Sequence, residues 1–321
     1  MKTNKHLINY NFAIADSTTW IGEDLLDFYS NALLTFNTAT ALTVIPNVKS
    51  IVKLPSYNLG SILQSDTIAG ATSWNATGEG ALADKSFSVT PVKVNLEIPK
   101  AVFEQDFLST YMKAGANTDE TAPPAFVNYM TTQVMKQLSN DLEVIAWQGV
   151  GTGSTYPVEL STGFVGQLTG DSTSVKVTTT AATASNVIGI LTAVYNKIPT
   201  SVLLNYKDVK FYVSSAVARA YRLAQAASGA GAGYNYASDT VKMNFLGFDL
   251  IECPGLAGSQ IVAASEKNML LLTDLAEDFE KDSSISVIDM WKNFGISSVR
   301  IALRFKIGFG YKLGSEIVIA Y

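Results

Sequence analysis

The 321-residue chain contains a single histidine, His6, and a single cysteine, Cys253. Because His6 lies in a polar N-terminal stretch, inventory alone excludes a histidine-based catalytic triad, dyad or metal cluster. One cysteine likewise excludes an internal disulfide framework and a cysteine-based metal site. No P-loop and no G-x-S-x-G pattern occurs. The sequence therefore predicts a protein that is not an enzyme, with no catalytic, cofactor-binding or metal-binding residue and no cofactor.

Charge is also scarce. Charged residues make up 16% of the chain, below the roughly 25% of average soluble domains, and mean hydropathy is +0.18. No apolar run approaches the roughly 18 residues that a membrane-spanning helix needs, so no membrane contact is expected. A chain with so little charge is expected to bury its surface in protein–protein contacts. The alternative is an ordinary domain rich in Ser, Thr and Asn.

The net charge and the distribution of the charged residues argue against two further classes of protein. The net charge of −5 and the lack of any run of Lys and Arg argue against a reader of nucleic-acid sequence with a broad basic face. Residues 2–15 superficially resemble a signal peptide, because lysines precede an Ala-Ile-Ala site. Asn9, Tyr10 and Asn11 interrupt its apolar core, so secretion is disfavoured.

Residues 123–149 predict the longest helix. Two prolines open the stretch, where a missing N–H costs nothing, and Gly149 ends it, where a left-handed cap is expected. The helix would be roughly 36 Å long. One apolar stripe runs along it at helical spacing: Phe126, Met130, Val134, Leu138, Leu142 and Ile145.

Two segments alternate between apolar and polar residues with a period of two, which indicates half-buried strands. They are Thr90–Ile98 and the much longer Val299–Tyr311, and the helical stripe is expected to pack against the second. Helices are also predicted at Asn186–Lys197, at Ser214–Ala227 and from about Ser17–Thr19 onward. Strands and helices alternate irregularly, so the predicted fold class is α+β.

Residues 52–92 are rich in Gly, Ser, Ala and Asn and have too few large apolar residues for a core of their own. A long two-stranded excursion that packs on something outside its own domain would explain this composition, with disorder as the other interpretation. Extended segments from Leu33 to Leu54 are expected to break at Pro46 and Pro55. An acidic run is interpreted as a solvated loop, because it lacks the spacing of a calcium-binding loop: Asp274, Glu277, Asp278, Glu280 and Asp282.

The ordered set of these segments resembles the HK97-type major capsid protein of tailed bacteriophages. The resemblance implies an N-terminal arm and first helix at 1–50 and an E-loop hairpin at 51–91. It further implies a peripheral domain at 92–165 with 266–310, which contains a long spine helix, and an axial domain at 166–265 with 311–321. The segments that carry it are SYNLGSILQSDTIAGATSWNATGEGALADKSF, VTPVKVNLEIPKAVFEQDFL, PPAFVNYMTTQVMKQLSNDLEVIAWQG, NVIGILTAVYNKIP, VKFYVSSAVARAYRLA and WKNFGISSVRIALRFKIGFGYKL.

What the resemblance implies about function is a self-assembling shell. Hexamers and pentamers would tile an icosahedral head around phage DNA, held without sequence specificity, and each E-loop would lie over a neighbouring subunit. Scaffolding, portal and decoration proteins are further partners it allows, with assembly in the host cytoplasm and a final place in the virion. Some relatives crosslink an E-loop lysine; Lys85 lies in that region, but no partner and no catalytic glutamate can be matched. The alternatives are an encapsulin-like compartment shell and a secreted surface or adhesive structural protein.

Overall fold

The structure, a computed structural model, describes most of the chain. The predictions for His6 and for most of the acidic run lie outside the described residues. The described ranges are 18–20, 38–58, 81–99, 124–153, 155–204, 208–227, 243–274, 285–290, 294–296 and 298–321.

Strands and helices in these ranges form a mixed α+β fold with two larger sheets and one hairpin. The strands are β1 Thr18–Trp20, β2 Thr43–Ile45, β3 Ile51–Asn58, β4 Ala81–Ser88, β5 Thr90–Pro99, β6 Val175–Val177, β7 Val209–Val213, β8 Asn244–Phe245, β9 Phe248–Glu252, β10 Ile261–Ser265, β11 Met269–Thr273, β12 Ile285–Asp289, β13 Ser298–Tyr311 and β14 Val318–Ala320. The helices are α1 Pro124–Gln148, α2 Phe164–Gly170, α3 Val187–Asn196, α4 Thr200–Leu203 and α5 Ser215–Ala227.

Strand β13 organises the first sheet, which we call sheet one. Ile307 pairs with Thr90 of β5 and also with Thr273 of β11, so these two strands lie on opposite edges of β13. Residues 299–302 pair with both β5 and β12, which puts β12 on the same edge as β11. Strands β11 and β12 therefore follow one another along β13, and β2 and β1 pair with their outer edges.

The alternation in β13 is confirmed, because its odd-numbered residues from Val299 to Tyr311 are all buried. They share one core with four members of the predicted stripe on α1, namely Val134, Leu138, Leu142 and Ile145. The helical stripe and the long strand therefore contribute to the same core. On β5 the pattern holds less well, since Val92 is buried but Leu96 remains 39% exposed.

The second sheet, sheet two, runs in the order β6-β14-β10-β7-β9-β8. It is buried on both faces: Tyr212 and Val262 point into the core around α1, whereas Phe211 and Ile261 point into a second core with α3 and α5. Continuous apolar runs such as IVAA at 261–264 are typical of strands covered on both faces. The core around α1 thus contains side chains from both sheets.

Three local predictions need correction, and one helix had no counterpart among the predictions. Thr18–Trp20 is a strand paired with β12, so the helix expected from about Ser17–Thr19 does not include these residues. The rest of that expected helix lies outside the described residues. Strand β3 runs through Pro55, which an edge position allows because no ladder N–H is needed there. Gly149 is not left-handed; a Cβ there would lie 2.6 Å from the Ile145 carbonyl oxygen, so close backbone packing requires it. Helix α2 lies in a Gly/Ser/Thr-rich segment that gave no helical signal.

Replacement of Leu303 by Ala tests the central role of β13. Leu303 is 2% exposed within the shared core, so the cavity should lower the free energy of unfolding by about 2–5 kcal/mol. Arg304→Ala is the matched control, since Arg304 is the next residue and points to the exposed face; a change within roughly 0.5 kcal/mol is expected. Equal losses in chemical denaturation would contradict the assignment of the two faces.

Candidate functional site

Strands β3 and β4 form an antiparallel hairpin, paired from Ile51 with Ser88 to Asn58 with Ala81. This confirms the two-stranded character of the predicted excursion in its described arms. The hairpin pairs with neither larger sheet, and Ile51 on its first strand is 62% exposed. The buried side chains of the hairpin, such as Phe87, lie at its base, so the contacts there hold it against its own subunit.

Two glycines of β13 make room for the base of the hairpin. A Cβ on Gly308 would lie 2.6 Å from the Ser88 carbonyl oxygen, and a Cβ on Gly310 would overlap the Phe87 ring. Both glycines occupy the even-numbered positions of β13, whose side chains would point away from α1. Strand β4 and the residues after it therefore pack directly on the backbone of β13, on the face opposite the helix.

A small apolar cluster completes this contact. Leu270 and Leu272 of β11 pack with Val48 and Phe87, whereas the alternate residues Met269 and Leu271 belong to the core around α1. Strand β11 is therefore buried on both faces, one by the helix and one by the hairpin base. In the sequence, the run MLLL at 269–272 does not alternate with polar residues. This pattern is typical of a strand that is covered on both faces.

Hydrogen bonds to backbone carbonyls hold the residues that lead into and out of the hairpin. Val89 N–H donates to the Ser50 carbonyl at 3.1 Å, directly below the first pair of the hairpin. Val48 N–H donates to the Thr273 carbonyl at 3.0 Å, and the Lys306 ammonium donates to the Lys49 carbonyl at 2.8 Å. The residues just before β3 and just after β4 are thus hydrogen-bonded to each other or to sheet one.

Lys85 ties the second arm to the end of β13. Its Nζ lies 3.5 Å from the centre of the Tyr311 ring, a favourable cation–π geometry. The Tyr311 hydroxyl donates to Asp171 Oδ2 at 2.7 Å. Burial lowers the pKa of Lys85, and the Asp171 charge opposes that shift. Burial alone would raise the pKa of Asp171, but hydrogen bonds from Tyr311 and Thr173 hold it below its usual value.

The rest of this face of sheet one carries exposed basic residues. Arg304 lies opposite Lys93 of β5, and Arg300 lies opposite Glu97, with which it forms a 3.0 Å ion pair. Residues directly opposite in an antiparallel pair project from the same face. We call Lys93, Arg300, Arg304 and Lys306 the basic strip. Three of its members occupy even-numbered positions of β13 and the fourth lies on β5, so no continuous run of basic residues marks the strip in the sequence.

A second set of contacts involves α1. It is a buried group of hydrogen-bonded polar residues, which we call the buried junction and which comprises Thr38, Glu143, Trp147 and Tyr212. Glu143 accepts hydrogen bonds from the Thr38 backbone N–H at 3.2 Å and from the Thr38 hydroxyl at 2.5 Å. Trp147 Nε1–H donates to the same hydroxyl at 2.7 Å, and the Tyr212 hydroxyl donates to the Ala41 carbonyl at 2.6 Å. Burial raises the pKa of Glu143, although these bonds favour its charged form. The junction joins residues 38–41 to α1 and to sheet two.

Within the described ranges no three His, Cys, Asp or Glu side chains are grouped so that they could hold a metal ion. The Cys253 thiol is buried, which raises its pKa and makes it unreactive. Asp274, from the predicted acidic run, accepts the Lys306 backbone N–H at 2.9 Å. Among the described helices none is long and apolar enough to span a membrane.

Comparison with known proteins gives matches by structure but not by sequence. No protein-family profile matches the chain, and no curated protein sequence does. A chain of the satellite phage P4 procapsid including the size determination (Sid) protein aligns with a TM-score of 0.55 at 10% identity, covering 92% of this chain and 97% of that one.

Two further solved structures give the same result. A chain of the native GTA particle capsid aligns with a TM-score of 0.55 at 14% identity, covering 97% of this chain and 95% of that one. A chain of Mycobacterium phage Cain aligns with a TM-score of 0.55 at 15% identity and covers 91% and 93% of the two chains. The protein therefore has the fold of these capsid chains over almost its whole length, as the sequence predicted.

Gly310→Ala tests the base of the hairpin. The added Cβ overlaps the Phe87 ring, so we expect a loss of about 1–3 kcal/mol in the free energy of unfolding and faster amide exchange in β3 and β4. Removal of the ring in the double variant Gly310→Ala, Phe87→Ala should leave less than the summed loss. Gly170→Ala is the control, because nothing lies within 4 Å of its Cβ. Additive losses would show that the two sites do not touch.

Glu143→Gln tests the buried junction. Because burial raises the folded-state pKa of Glu143, its protonation stabilises the fold below about pH 4 and that gain is lost as pH rises through the folded-state pKa. Unfolding free energies of wild type and variant, measured between about pH 4 and pH 7, should therefore shift in favour of the variant as pH rises. Glu316→Gln, at a less buried carboxyl, is the control. The same shift in both variants would contradict the role of burial.

Proposed function

We propose that this chain is the major capsid protein of a tailed bacteriophage, which assembles through hexamers and pentamers into an icosahedral shell around DNA. The observation that carries the proposal is the fold likeness to phage P4 and GTA capsid chains, which covers more than nine-tenths of both partners in each alignment. The low charge fraction of 16% agrees with a subunit whose surface is largely buried by its neighbours.

The proposed domains follow the two sheets. Residues 92–165 with 266–310 would be the peripheral domain and residues 166–265 with 311–321 the axial domain. Strands β11 to β13 of sheet one fall almost entirely in the first set, and β6 to β10 and β14 of sheet two fall in the second. Residues 1–50 would be the N-terminal arm. The buried Thr38–Glu143 bonds would attach the end of that arm to α1, which is the proposed spine helix.

The hairpin at residues 51–91 is the proposed E-loop, which lies over a neighbouring copy. Its arms are fixed at their base by the glycines of β13 and pair with neither larger sheet of their own subunit. The other proposed partners are scaffolding, portal and decoration proteins and DNA held without sequence specificity. The protein would assemble in the host cytoplasm and reside in the virion. No described feature favours a compartment shell with cargo or a secreted adhesive protein over this proposal.

Replacement of residues 59–80 by Asn-Gly tests the proposal. Asn58 and Ala81 face each other at the end of the described arms, so a two-residue turn closes the shortened hairpin. We expect wild type to form closed shells or rings of five or six copies by negative-stain microscopy, and the variant to remain a folded, unassembled subunit. Thermal unfolding provides the folding control. A wild type that stays monomeric with scaffolding protein present, or a variant that assembles normally, would contradict the proposal.

A further inference from the structure

We propose that Lys85, Tyr311 and Asp171 form a latch that holds the hairpin in one direction, and that this latch opens while the hairpin base stays packed. The base comprises residues 48–50 and 87–89, which contact sheet one or each other. The latch lies farther along the arms. The inference concerns a single subunit, so it holds whether or not copies of the chain assemble.

One face of the hairpin is turned toward the rest of the subunit. Val52 pairs with Phe87 and Leu54 pairs with Lys85, so these four side chains project from the same face. Val52, Leu54 and Phe87 pack in the small apolar cluster with β11. On this face, the pair of Leu54 and Lys85 lies farthest from the base among the described side chains. Lys85 is therefore well placed to set the angle of the arms.

Tyr311 joins two opposite charges. Lys85 Nζ lies 3.5 Å from the centre of the Tyr311 ring, and the Tyr311 hydroxyl donates to Asp171 Oδ2 at 2.7 Å. A hydroxyl that donates to a carboxylate shifts electron density into its ring, which strengthens the attraction of the ring face for a cation. The three groups therefore act as an ion pair connected through an aromatic ring.

Asp171 is held firmly at its own position. Its Oδ1 accepts hydrogen bonds from the Thr173 backbone N–H at 2.8 Å and from the Thr173 hydroxyl at 2.7 Å. Gly314 leaves room for the carboxylate, since a Cβ there would lie 2.3 Å from Asp171 Oδ2. Asp171 follows α2 and precedes β6, the strand at one end of sheet two. The latch therefore extends from the hairpin, across the end of β13, to sheet two.

The latch is weaker than the base because it holds an ammonium group partly out of water. Burial lowers the pKa of Lys85, and the Asp171 charge opposes that shift. The base consists of the buried Phe87 ring and backbone hydrogen bonds. A methionine at 85 would cover the Tyr311 ring without a cost in desolvated charge. Lysine instead makes the contact depend on the charge of Asp171, so loss of that charge is expected to release the arms first.

The test measures the direction of the hairpin in the full-length chain as a distance between two nitroxide labels. The labels are attached at Asp84→Cys on β4 and Thr178→Cys beside β6, both exposed positions, and the native Cys253 is fully buried. Dilution with unlabelled protein removes distances between copies. We expect one narrow distance distribution with the wild-type latch. Lys85→Glu should shift it to longer distances and broaden it, because Asp171 repels the new carboxylate.

The controls separate the latch from a general change of charge. Lys53→Glu lies on the exposed face of the same hairpin and should leave the distribution unchanged. Lys85→Met should keep it narrow, because methionine packs on an aromatic ring without a charge. Asp171→Asn should broaden the distribution when residue 85 is lysine and leave it narrow when residue 85 is methionine.

Circular dichroism and thermal unfolding verify that each variant folds, and protection of the Val89 amide from hydrogen exchange reports that the base stays packed. If Lys85→Glu does not fold, Lys85→Gln, which removes the charge alone, provides the same test. A wild-type distribution in these variants would overturn the inference. Loss of Val89 protection would also overturn it, as would equal broadening by Asp171→Asn with lysine or methionine at 85. Such results would leave the proposed function standing, because the distances are measured within single subunits.

Discussion

The structure depends on the pairing and packing of one strand, β13, whose two faces pack against different parts of the fold. Its odd-numbered side chains fill the core beneath α1. Its even-numbered positions change from Arg300, Ala302, Arg304 and Lys306 to Gly308 and Gly310, and the hairpin base packs on the two glycines. Because a strand alternates strictly, neither face can change register without the other. The direction of the hairpin is therefore coupled to the best-packed part of the fold.

The sequence predicted the features that depend on one segment at a time. The alternation of Val299–Tyr311 and the stripe on α1 are such features, because burial imposes a period that a single strand or helix displays by itself. The hairpin base is different. Glycine is needed at 308 and 310 because Ser88 and Phe87 pack there, and these two residues lie more than two hundred positions earlier in the chain. Helix α2 was missed because tertiary packing of Phe164 and Leu168 overrides a composition that favours turns.

The buried junction at Glu143 shows a second limit of single-segment inference. In the sequence Glu143 reads as a polar residue on the exposed side of an amphipathic helix, yet it is 5% exposed. It is accommodated because Thr38 supplies two donors from a segment 105 residues away. A buried carboxyl that loses such partners is strongly destabilising, so residues 38–41 are bound specifically and not merely covered. Tyr212 extends the same junction into sheet two, so residues 38–41, sheet one and sheet two are all held to the helix.

Because charged residues are few in this chain, the position of each one matters for how the surface meets another surface. In a chain with 16% charged residues, uncharged surfaces that meet select one register only weakly. Specific pairing then needs a few charges in defined positions, because a mismatched register leaves them unpaired and desolvated.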